Sequence, residues 1–178
     1  AIPMLLEQLG VECIPLYCEP TGHFPHNPEP LKEHLGDLAA AVVREKADFG
    51  IVVDPDVDRL AFMDENGEMF GEEYTLVACA DYVLSKTPGN TVSNLSSTRA
   101  LADVTEKAGG VYFASAVGEV NVVEMMKKKQ AVIGGEGNGG IIDPQLHYGR
   151  DALIGIALFL THLSLKNCSV AELKASYP

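Results

Sequence analysis

Residues 47–60 read ADFGIVVDPDVDRL. The β-branched apolar run at 48–54, DFGIVVD, predicts a short buried strand of the parallel kind. It ends in three carboxylates, Asp54, Asp56 and Asp58, spaced two apart. Carboxylates that close repel one another and gain nothing from a core, so they call for a cation. Alternate residues of a straight strand point to opposite faces, but a loop leaving the strand can curl and bring all three together. Carboxylate oxygens suit a hard cation such as Mg²⁺, Ca²⁺ or Mn²⁺. Open α/β sheets also place ligands beyond the carboxyl ends of their strands. The alternative is a solvated acidic turn without metal. An EF-hand is excluded, although Glu65 falls at its twelfth position. Arg59 stands where that loop needs glycine, and the flanks read as strands rather than helices. Arg59 either orients a phosphate in bidentate fashion or pairs with a neighbouring aspartate.

Outward from this stretch the chain alternates helix and strand. On the N-terminal side, IPMLLEQLG (2–10) has helical apolar spacing, VECIPLY (11–17) reads as extended, and CEPTGHFPHNPEP (18–30), with four prolines, is a loop. LKEHLGDLAAAVVREKA (31–47) predicts one helix ending in basic residues, which suit a helix C-terminus. On the other side, RLAFMDENGEMF (59–70) predicts two extended pieces around the turn Asn66-Gly67. A second series follows: a helix at 72–86, a strand at NTVSNL (90–95), a helix ending at Gly109 and Gly110, and a strand at GVYFASA. Then come the helix EVNVVEMMKKK, whose basic run Lys127 to Lys129 is a solvated helix end, the strand QAVIGG (130–135), a glycine loop and a closing helix at 151–167. Helices supply the crossovers that parallel strands require. The fold class is α/β: two tandem α/β domains, 1–70 and 71–178, with mixed, mainly parallel sheets. The first begins in a helix with no strand before it and the last helix barely starts, so both ends look cut and the chain reads as part of a longer protein.

Composition sets the outer limits. The 178 residues are 47% hydrophobic, enough for a packed core, and carry a net charge of −12. That charge argues against nucleic acid as a partner, since a nucleic-acid surface needs a basic stripe. It does not exclude an anionic small molecule held by local cations. The longest apolar run, ALIGIALFLTHL (152–163), is too short for a membrane span and reads as a buried helix. Cys13, Cys18, Cys79 and Cys168 form no CxxC pair, which fits buried thiols in a reducing cytoplasm.

A second constellation lies at 133–151, IGGEGNGGIIDPQLHYGRD. Five glycines occupy seven residues (134–140) and let the backbone approach a ligand closely. Only Glu136 and Asn138 carry side chains there, and a carboxylate and an amide two apart suit vicinal sugar hydroxyls. The alternative is a tight turn without a ligand. No nucleotide-binding fingerprint accompanies it. His147 is a candidate proton shuttle, or simply an exposed loop residue. Asp151 is placed to cap the closing helix. His23 and His26, in the proline-rich loop, have no evident partners.

Taken together, these loops resemble those of the α-D-phosphohexomutases, the phosphoglucomutases, phosphomannomutases and phosphoglucosamine mutases. ADFGIVVDPDVDRL resembles their metal loop, usually DGDxDR, with Pro55 in place of the glycine. GGEGNGG resembles their sugar loop, usually GE-x-[SN]-GH. EPTGHFPHNPEP resembles the loop before the metal-loop strand, and GEEYT the opening of the third of four domains. The resemblance covers nearly the whole chain. It implies that Asp54, Asp56 and Asp58 bind Mg²⁺, that Arg59 acts beside the phosphate, and that Glu136 and Asn138 hold the hydroxyls of a phosphorylated hexose. Arg150 is a further candidate substrate contact. In that family a phosphoserine exchanges phosphate between the 1- and 6-positions of a hexose. Three departures stand out. No serine sits in a phosphoserine motif, which belongs to the absent first domain, and the fourth, phosphate-binding domain is absent too. Gly140 replaces the loop histidine, for which His147 is the candidate substitute. Ala116 replaces a lysine found in some relatives. The chain alone is therefore expected to be inactive and to hold metal weakly or not at all. The competing reading is a non-catalytic module on the same scaffold that binds sugar phosphate or metal. A metal-dependent phosphatase of another α/β fold lacks a convincing downstream pattern.

Overall fold

The structure is a computed structural model that describes residues 1–23, 25 and 27–178. His26 lies outside the described residues. In chain order the elements begin with α1 (Ile2–Gln8), a 3₁₀ turn (Lys32–His34), α2 (Gly36–Glu45), β1 (Phe49–Val53) and β2 (Leu60–Asp64). The second half continues with α3 (Glu72–Lys86), β3 (Asn90–Asn94), α4 (Ala100–Lys107), β4 (Tyr112–Ser115) and α5 (Glu119–Lys129). It closes with β5 (Ala131–Gly135), β6 (Ile141–Ile142), α6 (Ala152–Lys166) and α7 (Val170–Ala175). The chain is thus α/β throughout, as its alternating pattern predicts.

Three expectations for the first half need correction. The strand at 49–53 is not of the buried parallel kind: β1 pairs antiparallel with β2, Phe49 opposite Asp64 and Val53 opposite Leu60. Six residues separate these strands, too few for the crossover that parallel pairing requires. The other edge of β1 has no strand partner among the described residues, and four of its five residues are only half-buried. A cavity of about 910 Å³ opens there, lined by Leu6, Val11, Cys13, Leu38, Phe49 and Ile51 among others. Next, the helix expected across 31–47 is split. Leu35, at φ −108° and ψ 18°, separates the 3₁₀ turn from α2. Leu35 is buried beside Ala61 and Met63, so packing takes precedence over helical continuity. Finally, residues 11–17 form no strand.

The turn at Asn66-Gly67 forms as the sequence predicts. Gly67 adopts φ +79°, and Asp64 Oδ1 accepts the backbone N–H groups of Asn66 and Glu68. Beyond it Met69 bridges back to Met63, and Phe70 N–H donates to the Phe62 carbonyl.

In the second half the strand order is β4-β3-β5-β6, with β3 parallel to both β4 and β5 and only β6 antiparallel. Helices cover both faces because strand residues alternate sides. Val92 of β3 packs with Val122 and Met126 of α5. Its neighbour Thr91 turns the other way, onto Thr105 of α4, hydroxyl to hydroxyl at 2.6 Å. Ile133 of β5 joins the larger core with Leu76 and Ala80 of α3 and Ile156 of α6. That core crosses into the first half through β2. Leu60 and Phe62 face it, whereas Ala61 and Met63 face α2. Phe62 stacks on Phe159 of α6 with ring centroids 3.8 Å apart, and Phe70 meets the same ring edge-on. Both faces of β2 are therefore covered, and the strand fixes the aspartate loop that precedes it against the second half.

Candidate active site

The aspartate loop joins β1 to β2, and its curl is set by the backbone. Val57 adopts φ +61°, and its N–H donates to the Asp54 carbonyl at 3.1 Å. Asp54 is buried, and its Oδ1 accepts the N–H groups of Asp58 and Arg59 at 3.1 and 3.0 Å. The result is the convergence that spacing alone left open. One oxygen from each of Asp54, Asp56 and Asp58 lies within 4.8 Å of the others. The strands on either side also confirm that this is no EF-hand. Glu65 follows directly after β2 and accepts the Ala171 N–H instead.

Charge is unevenly balanced in this loop. Asp58 Oδ1 and Arg59 Nε are both buried, and neither makes a hydrogen bond. Arg59 lies 3.6 Å from Asp54 and 3.9 Å from Asp58, and its Nη1 donates to Glu29 of the proline-rich loop at 3.2 Å. Burial pushes the Asp58 carboxyl up to about 6; Arg150 opposes the shift, and Asp54 and Asp56 add to it. A buried carboxylate oxygen without a hydrogen bond, converging with two other carboxylates, is an electron-pair donor of the kind a hard cation takes. The donor set is all oxygen and fits Mg²⁺.

The glycine loop leaves β5 and closes on itself. Glu136 N–H donates to the Gly140 carbonyl at 2.9 Å, and the Asn138 side-chain oxygen accepts the Gly140 N–H. Gly139, at φ +86°, lies so close to β2 that a Cβ would stand 2.0 Å from the Leu60 carbonyl oxygen. The two loops therefore touch. Glu136 is buried, and its carboxylate is fully engaged. Oε1 accepts from the Asn94 amide at 2.9 Å and from the Gly118 N–H at 3.1 Å, and Oε2 accepts from Arg150 at 2.9 Å.

Arg150 joins the loops. Its guanidinium donates to Asp58, to Glu136 and, at 2.9 Å, to Glu119 at the start of α5. Those carboxylates outweigh burial, which opposes its charge, and hold the guanidinium charged above its already high ordinary range. His147 is half exposed and contacts Asp151 Oδ2 at 3.1 Å. Asp151 caps α6, accepting the N–H groups of Leu153 and Ile154. Sequence reasoning missed Asn94, Glu119 and the Gly118 N–H. They lie 42, 17 and 18 residues before Glu136, and their only sequence signal is a shared position at the carboxyl ends of β3 and β4.

Comparison with known proteins is decisive for the family. The pattern described as phosphoglucomutase/phosphomannomutase, alpha/beta/alpha domain III, matches residues 71–178, and that for domain II matches residues 1–67. The chain belongs to the phosphoglucomutase/phosphomannomutase family. It is 34% identical over 178 residues to a probable phosphoglucosamine mutase of Methanopyrus kandleri, covering 99% of this chain and 39% of that protein. It is 33% identical over 179 residues to a phosphoglucomutase/phosphomannomutase of Thermococcus kodakarensis, again covering 99% and 39%. A crystal structure of a phosphoglucomutase/phosphomannomutase family protein from Burkholderia thailandensis superposes with a TM-score of 0.88 at 27% identity. It covers 99% of this chain and 39% of that one. The chain thus spans about two-fifths of the length of these relatives. No helix among the described residues is long and apolar enough to cross a membrane.

Proposed function

We propose that this chain is the central part of a phosphohexomutase, with residues 1–70 as most of its second domain and 71–178 as most of its third. The full protein would interconvert hexose 1-phosphate and hexose 6-phosphate. The observation that carries this reading is the convergence of Asp54, Asp56 and Asp58 beside Glu136 of the glycine loop, joined through Arg150. Asp54, Asp56 and Asp58 would hold Mg²⁺, which when bound supplies positive charge to stabilise a phosphoryl group in transfer. Arg59 adds a guanidinium beside it, and its hold on Glu29 is open to exchange for a phosphate oxygen. Asn138 lies in the same loop as Glu136 and offers its side-chain amide to sugar hydroxyls.

The phosphoserine and the remaining phosphate contacts would come from further domains of the mutase, as the two-fifths coverage of the relatives supports. The chain alone is then inactive. The test is turnover of mannose, glucose and glucosamine 1-phosphates by the protein that carries this chain with those domains. Turnover of at least one is expected, and failure with all three overturns the mutase reading in favour of a non-catalytic module. His147 is proposed to supply an imidazole in place of the one Gly140 lacks. In the same assay H147A is expected to lower turnover by about a hundredfold, the usual scale of acid–base assistance; near-normal turnover removes His147 from the mechanism.

A further inference from the structure

We propose that Arg150 is a positioning residue that couples cation occupancy of the aspartate loop to the rigidity of the glycine loop. The proposal rests on the reading that Asp54, Asp56 and Asp58 take a divalent cation. Three observations converge on it. Arg150 is mostly buried and donates from three different nitrogens to carboxylates on three segments, Asp58, Glu119 and Glu136. Asp58 divides its two oxygens: Oδ2 is committed to Arg150, while Oδ1 is buried without a hydrogen bond. Gly140 is what admits the arginine. A Cβ there would stand 2.3 Å from Arg150 Cδ, so a larger side chain and this placement of Arg150 exclude each other.

The consequence is electrostatic. A cation at Oδ1 competes with the guanidinium for the charge of Asp58, and two positive charges on one carboxylate repel each other. Arg150 is then shifted from Asp58 towards Glu136 and Glu119. Glu136 in turn holds Asn94 and the Gly118 N–H, so its carboxylate fixes the glycine loop against the ends of β3 and β4. Cation binding in one loop thereby tightens the other, and by linkage a ligand that orders the glycine loop strengthens cation binding.

The test uses the full protein that carries this chain with its further domains, and Mn²⁺ as probe. Binding is read by calorimetry, and glycine-loop rigidity by amide hydrogen exchange across 134–140 with and without the metal. In the wild type, Mn²⁺ is expected to slow exchange there. In R150Q, Mn²⁺ binds tighter by about fivefold, because the competing charge is gone, and the slowing disappears. A merely structural arginine predicts weaker Mn²⁺ binding in R150Q, and that result overturns the proposal. So does equal slowing in both proteins. If the wild type binds no Mn²⁺, the cation reading of the aspartate loop fails, and the coupling with it; binding with no change in exchange overturns the coupling alone. Should R150Q not fold, R150K keeps the charge but not the three-way fork. It is expected to bind Mn²⁺ within about twofold of the wild type while losing most of the slowing; wild-type slowing in R150K overturns the proposal.

Discussion

The aspartate loop and the glycine loop each carry buried carboxylates, but they treat them in opposite ways. Glu136 is saturated: the Asn94 amide, the Gly118 N–H and the Arg150 guanidinium occupy both its oxygens. Asp58 is left short, with one oxygen on Arg150 and the other buried without a hydrogen bond, the Arg59 Nε standing 3.9 Å from it, and its carboxyl is raised to about 6. A saturated carboxylate contributes to the fold. An unsaturated one holds interaction energy in reserve for a ligand, at some cost in stability. The two motifs look equally functional as text, and the difference between them lies in their partners.

Substitutions at three residues test that contrast. The largest effect is expected at Glu136. E136A strands the Arg150 charge, the Asn94 amide and a backbone N–H, and should lower unfolding free energy by about 3–5 kcal/mol in urea titration. E136Q keeps the same shape and should cost less. A loss below about 1 kcal/mol for E136A would erase the distinction between the loops.

Asp81 provides a partnered carboxylate outside both loops, on α3, where His162, Lys166 and Tyr177 all meet its Oδ2. The His162 hydrogen bond, against the opposing effect of burial, holds its carboxyl below the ordinary range, with the His162 and Lys166 charges and Tyr177 assisting. A lowered carboxylate stabilises the fold above the unfolded value of about 4, and the contribution fades as pH falls through the folded value. D81N should therefore be less stable than the wild type by about 1 kcal/mol at pH 7. The gap should narrow as unfolding is measured at successively lower pH below about 4. A gap that stays constant or widens in acid would show that Asp81 acts by packing.

The smallest effect on stability is expected at Asp56, the exposed member of the cluster. D56N should change unfolding free energy by no more than about 0.5 kcal/mol. It should nonetheless weaken Mn²⁺ binding by about tenfold or more, since a ligand carboxylate is gone. Loss of stability without loss of metal affinity would reverse the roles assigned to the two loops.

Much of this was legible in the sequence. The helices and strands of the second half fall where periodicity puts them, because each is an apolar face repeated at helix or strand spacing and bounded by glycine or polar residues; the exception is β6, two residues long and too short to show a period. The Asn66-Gly67 turn and the Asp151 cap are equally local and equally readable. The errors lie where local signals compete with partners. An apolar run such as FGIVV reads as a parallel strand by composition, yet the six residues before β2 permit only an antiparallel return. The helix at 31–47 breaks because Leu35 is drawn into the core beside β2, which no periodicity within that helix records.

The candidate site divides in the same way. The sequence by itself determined the donor chemistry: three carboxylates two apart after a strand, an arginine beside them, and a glycine loop bearing one acid and one amide. Such patterns are local and follow from the geometry of a few consecutive residues. Only the tertiary structure decided that Asp58 and Glu136, 78 residues apart, share one guanidinium, and that Gly140 makes room for it. The physical reason is that a charge is neutralised by whatever folds next to it. That neighbour is chosen by the packing of β2 against α6 and by the order of strands in the second sheet.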